Sequence, residues 1–350
     1  MTEAAGRLLT ALLWVLLLVL PVPVQAADQA TVFIYHRFGD QRYPSTNTPL
    51  DEFRAHLDTL RQGNYQVLPL GEIVVRLRDG RPLPERCVAI SVDDAFRSFL
   101  SGAMPLLREY GYPATVFVNT GEMNGPDYLS WEELRRLAAE GVEIGNHSAA
   151  HGYLLERRAG ESRPLWQQRV KEEIRRAQEE LTTRLGVTPR LFAYPYGEFS
   201  VELQEIVSGL GFLAAFGQQS GAIVRGQDLF TLPRFPAGGS YAARGEFRER
   251  LRFRALPLQV LAPVDTLVET TNPPLWRIAL GNGQIDPRTL RCYVPGQPPA
   301  RVTRVDAAAG IYEIQAVAPL SGRRSKYTLT GADRQGNWYW YSQLWVRPAR

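Results

Sequence analysis

A chain of 350 residues, 45% hydrophobic and 22% charged, is long enough to bury one large core and a second, smaller one, and its composition is that of an ordinary globular protein. Its formal charge of +4 comes from basic residues interspersed with acidic ones, so no nucleic-acid partner is indicated, while an anionic glycan or a membrane surface stays open.

The first 26 residues read as a cleavable secretory signal. Arg7 precedes an apolar stretch from Leu8 to Leu20, followed by Pro21, Pro23 and the small-residue ending Val24-Gln25-Ala26. An uncleaved anchor is the alternative, but the run is short for a membrane span. The mature chain is thus expected in the periplasm or outside the cell. Export permits disulfides, yet Cys87 and Cys292 lie far apart in the chain and are expected as two buried thiols.

From Thr31 to about Arg234, short apolar runs alternate with longer amphipathic segments, the pattern of β/α units. Strands are expected at Thr31–Tyr35, Tyr65–Leu68, Cys87–Val92, Ala114–Val118, Val142–Gly145, Leu191–Tyr194 and Phe212–Phe216. Their continuous hydrophobicity suits a parallel sheet covered on both faces. Leu50, Phe53, Leu57 and Leu60 recur at helical spacing, Ser130 and Glu133 form a capping box, and a long helix is expected from Pro164 to Leu185, stopped by Gly186 and Pro189. Repeated units of this kind, with no G-x-G-x-x-G after the first strand, favour a closed or partly closed barrel over an open dinucleotide-binding sheet. After about residue 250 helical periodicity stops and short alternating strands follow. The expected organisation is a signal at 1–26, a (β/α) barrel at 27–250 and a β-sandwich at 251–350.

Several polar residues fall directly after predicted strands, where barrels of this type place their active sites. His36 follows the first, Asp93-Asp94 the third, His147 the fifth and Pro195-Tyr196-Gly197 the sixth. Two adjacent carboxylates at the end of an apolar strand are costly without a cation or hydrogen bonds. His147 and His151 are four apart, so one helical turn would put both imidazoles on one side. One carboxylate and two imidazoles would leave positions open for water and substrate, as in a catalytic metal site. Taken singly, an Asp pair can cap a helix and a His pair can be a solvated face; together, on strand ends of one barrel, they favour a metal.

Ser91-Val92-Asp93-Asp94, His147-Ser148-x-x-His151 and Tyr194-Pro195-Tyr196-Gly197 resemble the first three motifs of the polysaccharide deacetylase family, also called NodB-homology or carbohydrate esterase family 4. The resemblance covers roughly Thr31 to Pro236. It implies a distorted (β/α) barrel, a divalent metal, usually zinc, and hydrolysis of N-acetyl groups on sugars such as N-acetylglucosamine. By motif it makes Asp93 the general base and Asp94, His147 and His151 the metal ligands, with the Tyr196 amide N–H assisting at the oxyanion.

The chain departs from the family in three places. Ala95 stands where a glycine is usual, Ala193 replaces the usual arginine, and the late leucine-x-histidine motif is missing. Arg234 is the candidate to orient Asp93 in place of the missing arginine. His36, in a Tyr35-His36 opening that resembles the branch acting on exported poly-N-acetylglucosamine, is the candidate general acid. His56 is expected on the polar side of its helix as a bystander, and the Trp338–Tyr341 aromatics as packing more than a sugar platform. The reading is an exported metal-dependent N-deacetylase of a cell-envelope or extracellular polysaccharide, its C-terminal domain docking to substrate or an envelope partner. An O-acetyl esterase and a non-catalytic glycan-binding module on a decayed scaffold are the alternatives.

Overall fold

The computed structural model describes residues 29–281 and 283–349, so the expected secretory signal lies outside the described residues. Among the described residues no helix is long and apolar enough to cross a membrane.

The first half is built on β1 (Gln29–Tyr35), a short ladder of β2 (Arg37–Phe38) with β3 (Asn47–Thr48), then β4 (Gln66–Val67), β5 (Cys87–Asp93) and β6 (Thr115–Val118). It continues with β7 (Glu143–Asn146), β8 (Leu191–Ala193), β9 (Ala214–Phe216), β10 (Ile223–Val224) and β11 (Phe235–Pro236). The helices are α1 (Leu50–Gln62), α2 (Leu70–Arg78), α3 (Met104–Tyr110), α4 (Trp131–Ala139), α5 (Arg163–Leu185), α6 (Val201–Gly209) and α7 (Arg244–Arg250). All seven expected strands are present.

The sheet runs β10-β1-β5-β6-β7-β8-β9, and every pair from β1 to β9 is parallel. It curls, and one segment spans the remaining gap: Leu232 pairs with Phe216 of β9, and Phe235 and Pro236 pair with Phe33 and Ile34 of β1. This is the distorted (β/α) barrel. Its carboxyl-terminal rim therefore gathers Tyr35, Asp93, Asn146 and Ala193 at one end.

The local signals act as written. Ser130 Oγ accepts from the Glu133 N–H at 3.1 Å while the Glu133 carboxylate accepts from the Ser130 N–H at 2.7 Å, closing the capping box of α4. α5 buries Trp166, Val170, Ile174, Ala177 and Leu181 at three- and four-residue spacing, then ends at Gly186 in the left-handed region, φ 70°.

Beyond the barrel lie β12 (Arg254–Ala255), β13 (Leu258–Ala262), β14 (Trp276–Leu280), β15 (Arg291–Tyr293), β16 (Arg301–Asp306), β17 (Ile311–Gln315), β18 (Arg324–Ala332) and β19 (Trp338–Val346). They form two four-stranded sheets, β12-β19-β18-β15 and β13-β14-β17-β16, around a core that holds Trp276, Tyr327 and Trp345. Along β19 the aromatics alternate: Tyr339 is buried, while Trp340 packs on Phe235 and Phe253 near the barrel. Cys87 and Cys292 are free and buried, each thiol pushed up to about 12 by burial, so neither is a ready nucleophile.

Candidate metal centre

β5 delivers the two carboxylates in different directions. Asp93 ends the strand with its side chain fully buried, and Asp94 turns out of it with φ 76°, followed by Ala95 at 55°. A positive φ is costly for a residue with a Cβ, and at Ala95, where a glycine is usual in the resemblance, the fold carries that cost.

The two histidines come together by a route other than the helical turn expected from their spacing. Residues 147–151 form an irregular loop, with Ser148 at φ 65° and His151 at φ 50°. Asn146 shapes it, accepting from the Ser148 N–H at 2.8 Å, and the Ser148 hydroxyl accepts from the His151 N–H at 3.1 Å. The competing local hydrogen bonds of Asn and Ser break the helix and still aim both imidazoles one way. The sequence marks Ser148 only as a member of the His147-Ser148-x-x-His151 motif and does not mark Asn146 at all, because each is a common turn former.

His147 donates from Nδ1 to the Ala193 carbonyl at 2.7 Å, which leaves Nε2 as a lone-pair donor. The Nε2 atoms of His147 and His151 are 3.2 Å apart, and Asp94 Oδ1 lies 3.5 Å and 3.3 Å from them. These edges match the roughly 3.3 Å expected between ligands about 2.0–2.1 Å from a tetrahedral ion. Asp94 Oδ1 is buried without a hydrogen-bond partner, and two imidazole lone pairs facing each other repel. A cation satisfies all three atoms at once, so the donor set fits a divalent metal.

Burial pushes the Asp94 carboxyl up to about 6 and the His147 imidazole down to about 3, and lowers His151 as well. Neutral imidazoles are the form that binds metal. Asp93 differs: burial alone would raise it, but the Arg234 guanidinium, aided by His147, holds it well below the usual carboxylate range.

Arg234 lies in the segment that closes the barrel, between Leu232 and Phe235, and is wholly buried. Its Nη1 and Nη2 donate to Asp93 Oδ1 and Oδ2 at 2.7 Å and 2.8 Å, Nη1 also to Ser91 Oγ at 3.2 Å, and Nε to the Gly217 carbonyl at 2.9 Å. A guanidinium so saturated fixes the carboxylate plane. Asp93 Oδ2 is then 3.8 Å from His147 Nε2, beside the triad.

Tyr196 sits in the turn after β8 with φ 58°, its ring edge-on to His151 at 4.6 Å and stacked on Tyr153 at 4.2 Å. His36 follows β1, half-buried, close enough for its charge to act on both Asp93 and Asp94. His56 is no surface bystander. It is fully buried, its Nε2–H donates to the Ala242 carbonyl at 2.8 Å, and its Nδ1 accepts from the Tyr35 hydroxyl at 3.1 Å. The reason is α7, which covers that side of α1 and stacks Phe247 on the imidazole at 4.1 Å. Two arginines of the rim also escaped sequence reading. Arg37 is buried between Phe96 and Tyr43, and Arg324 arrives from the C-terminal sheets, which no local motif announces.

With this geometry in hand, comparison with known proteins is specific. Residues 80–215 match the family described as polysaccharide deacetylase. The chain is 25% identical over 230 residues to the poly-beta-1,6-N-acetyl-D-glucosamine N-deacetylase of Escherichia coli strain K12, an alignment of 56% of this chain and 34% of that protein. It therefore spans about a third of that relative's length. It is 22% identical over 217 residues to the enzyme of the same name from Staphylococcus aureus strain MRSA252, covering 60% of this chain and 74% of the other. The structure of IcaB from Ammonifex degensii superposes with a TM-score of 0.56 at 25% identity, over 65% of this chain and 98% of that one.

Proposed function

From a chain that carries a polysaccharide deacetylase domain, we propose an exported, metal-dependent N-deacetylase of an N-acetylglucosamine-type polysaccharide in the cell envelope or outside the cell. The observation that carries this reading is the triad of Asp94, His147 and His151, its donor atoms within 4.8 Å of one another, with a second, arginine-clamped carboxylate beside it. The relatives named for poly-beta-1,6-N-acetyl-D-glucosamine support the substrate class.

A divalent metal held by Asp94, His147 and His151, zinc by the chemistry of the donor set, would polarise the acetyl carbonyl and acidify a water. Asp93 takes the proton of the attacking water, its two oxygens held in place by Arg234 so that no reorientation is needed as the proton arrives. The Tyr196 N–H, on the same rim, donates to the oxyanion that develops at the acetyl oxygen as water adds to the carbonyl carbon. His36 donates a proton to the amine as the C–N bond breaks, giving acetate and a free amino sugar.

The test is acetate release from N-acetylglucosamine oligomers with zinc or cobalt, with chelator, and in Asp94→Ala. Release that disappears with chelator and in the variant is the expected outcome. Release confined to ester-linked acetyl groups would replace the reading with an O-acetyl esterase, and no release from any acetylated glycan by the metal-loaded protein would leave a binding module.

A further inference from the structure

We propose that Arg324, the first residue of β18 in the C-terminal sheets, is a positioning residue for this reaction, acting through Tyr196. The inference rests on the deacetylase reading and assigns the C-terminal sheets a part in the site beyond docking.

The contacts form an unbroken path. Arg324 Nη1 donates to the Tyr196 carbonyl at 2.6 Å, and its guanidinium lies 5.4 Å from the Tyr196 ring centroid. Its neighbour Arg323 donates through Nε and Nη2 to both oxygens of Glu198, each at 2.7 Å, and pairs with Glu156. The Arg323 guanidinium also covers the Tyr153 ring at 3.9 Å, and Tyr153 stacks on Tyr196, whose ring meets the metal-triad residue His151. Arg324 at the start of β18 and Arg323 just before it thus hold the third-motif turn at its carbonyl, at its ring and, through Glu198, two residues further on.

That turn has reason to be held from outside. Tyr196 sits at φ 58° and ψ 6° without being a glycine, a conformation that persists only when its surroundings enforce it. Within the turn, the Gly197 N–H donates to the Tyr194 carbonyl and the Glu198 N–H to the Pro195 carbonyl, so the Tyr196 carbonyl takes its charged donor from across the interface. Glu198 is almost fully buried, and a buried carboxylate requires the paired cation that Arg323 supplies. Arg324, with 40% of its side chain exposed, lies farther from that carboxylate, its Nε 3.6 Å from Glu198 Oε1, so its replacement leaves Glu198 paired with Arg323 and opens no core.

The experiment measures kcat and KM on an N-acetylglucosamine oligomer for Arg324→Ala, Arg324→Lys and the control Arg277→Ala, which removes an exposed charge from the far sheet. Hydrogen exchange of the peptide covering residues 194–198 accompanies it. Arg324→Ala is expected to lose roughly ten- to hundredfold in kcat with KM and zinc affinity unchanged. The turn amides should exchange faster, Arg324→Lys should recover most of the rate, and the control should behave as wild type. A rise in KM alone would overturn the inference by making Arg324 a substrate contact, and so would unchanged exchange of the turn. If the wild type releases no acetate, the deacetylase reading fails by itself, and the exchange comparison still decides whether Arg324 holds the turn.

Discussion

Asp93 and Asp94 face the same physical demand, a counter-charge for a carboxylate at the end of a buried strand, and meet it differently. Asp93 has its cation inside the fold, and loss of Arg234 would leave an unpaired buried charge. Because Arg234 is what lowers Asp93 against the upward pull of burial, Arg234→Gln must move the acid limb of the kcat/KM profile to higher pH, with a melting-stability loss of about 3–5 kcal/mol. An acid limb that stays in place would show that Asp93 is not the titrating base. Asp94 Oδ1 has no hydrogen-bond partner, and burial raises its carboxyl to about 6. Above that pH the metal-free native state carries an ionised group it disfavours, at roughly 2–3 kcal/mol relative to an unfolded carboxyl. Asp94→Asn should therefore melt higher than metal-free wild type at pH 7.5, yet gain nothing from zinc, whereas zinc should stabilise the wild type; calorimetry with and without chelator reads both. The carboxylate pair and the histidines were legible in the sequence because charged residues abutting apolar strands are rare. The loop-shaping roles of Asn146 and Ser148 were not, since nothing in their type separates a loop that aims ligands from an ordinary turn.

At the scale of elements, the parallel strands were legible from their continuous apolar runs, but the segment that shuts the barrel was not. Leu232–Pro236 makes one bridge to β9 and two pairs to β1, too little regular pairing to imprint an alternating pattern, and its position follows from the curl of the whole sheet. Short helices such as α2 and α6 likewise lack the length that makes periodicity decisive. The packing of α7 on α1 was equally hidden, and it reverses the expectation for His56. Burial lowers that imidazole to about 4, and both ring nitrogens are engaged in the neutral form. The depressed folded value means that its contribution is intact above about 6.5, where the unfolded histidine is also neutral, and is lost progressively as pH falls towards 4. Unfolding free energies from urea titrations of wild type and His56→Gln, which can make the same two hydrogen bonds, should diverge across that window by up to roughly 3 kcal/mol, wild type becoming the weaker. Parallel pH dependences would mean that α7 moves aside to admit a charged ring.

The whole molecule raises the question of whether a barrel at 27–250 and a sandwich at 251–350 behave as separable units. A change from helical to alternating periodicity marks a boundary in the sequence, but periodicity reports local geometry and carries no information about what packs across that boundary. The contacts tie the halves closely. Leu344 and Val346 at the end of β19 share an apolar cluster with Phe199, Leu203 and Val207 of the barrel, and Trp340 packs on Phe235, which pairs with β1. Thr266, between β13 and β14, accepts from the Val346 N–H and donates through its hydroxyl to the Phe199 carbonyl of the barrel. Beside them the buried Glu198 pairs with Arg323 at 2.7 Å and with Arg324 at 3.6 Å, so separating the halves would expose apolar surface and strip a buried carboxylate of both partners together. Units joined in this way unfold as one when the interface is worth more than the weaker unit's own stability. Scanning calorimetry should accordingly give a single transition, and Arg323→Ala, which removes the charge pair and leaves the apolar cluster, should lower the melting temperature of that transition. Two resolved transitions in the wild type would instead mark the sandwich as an independently folding module whose grip on the Tyr196 turn is transient.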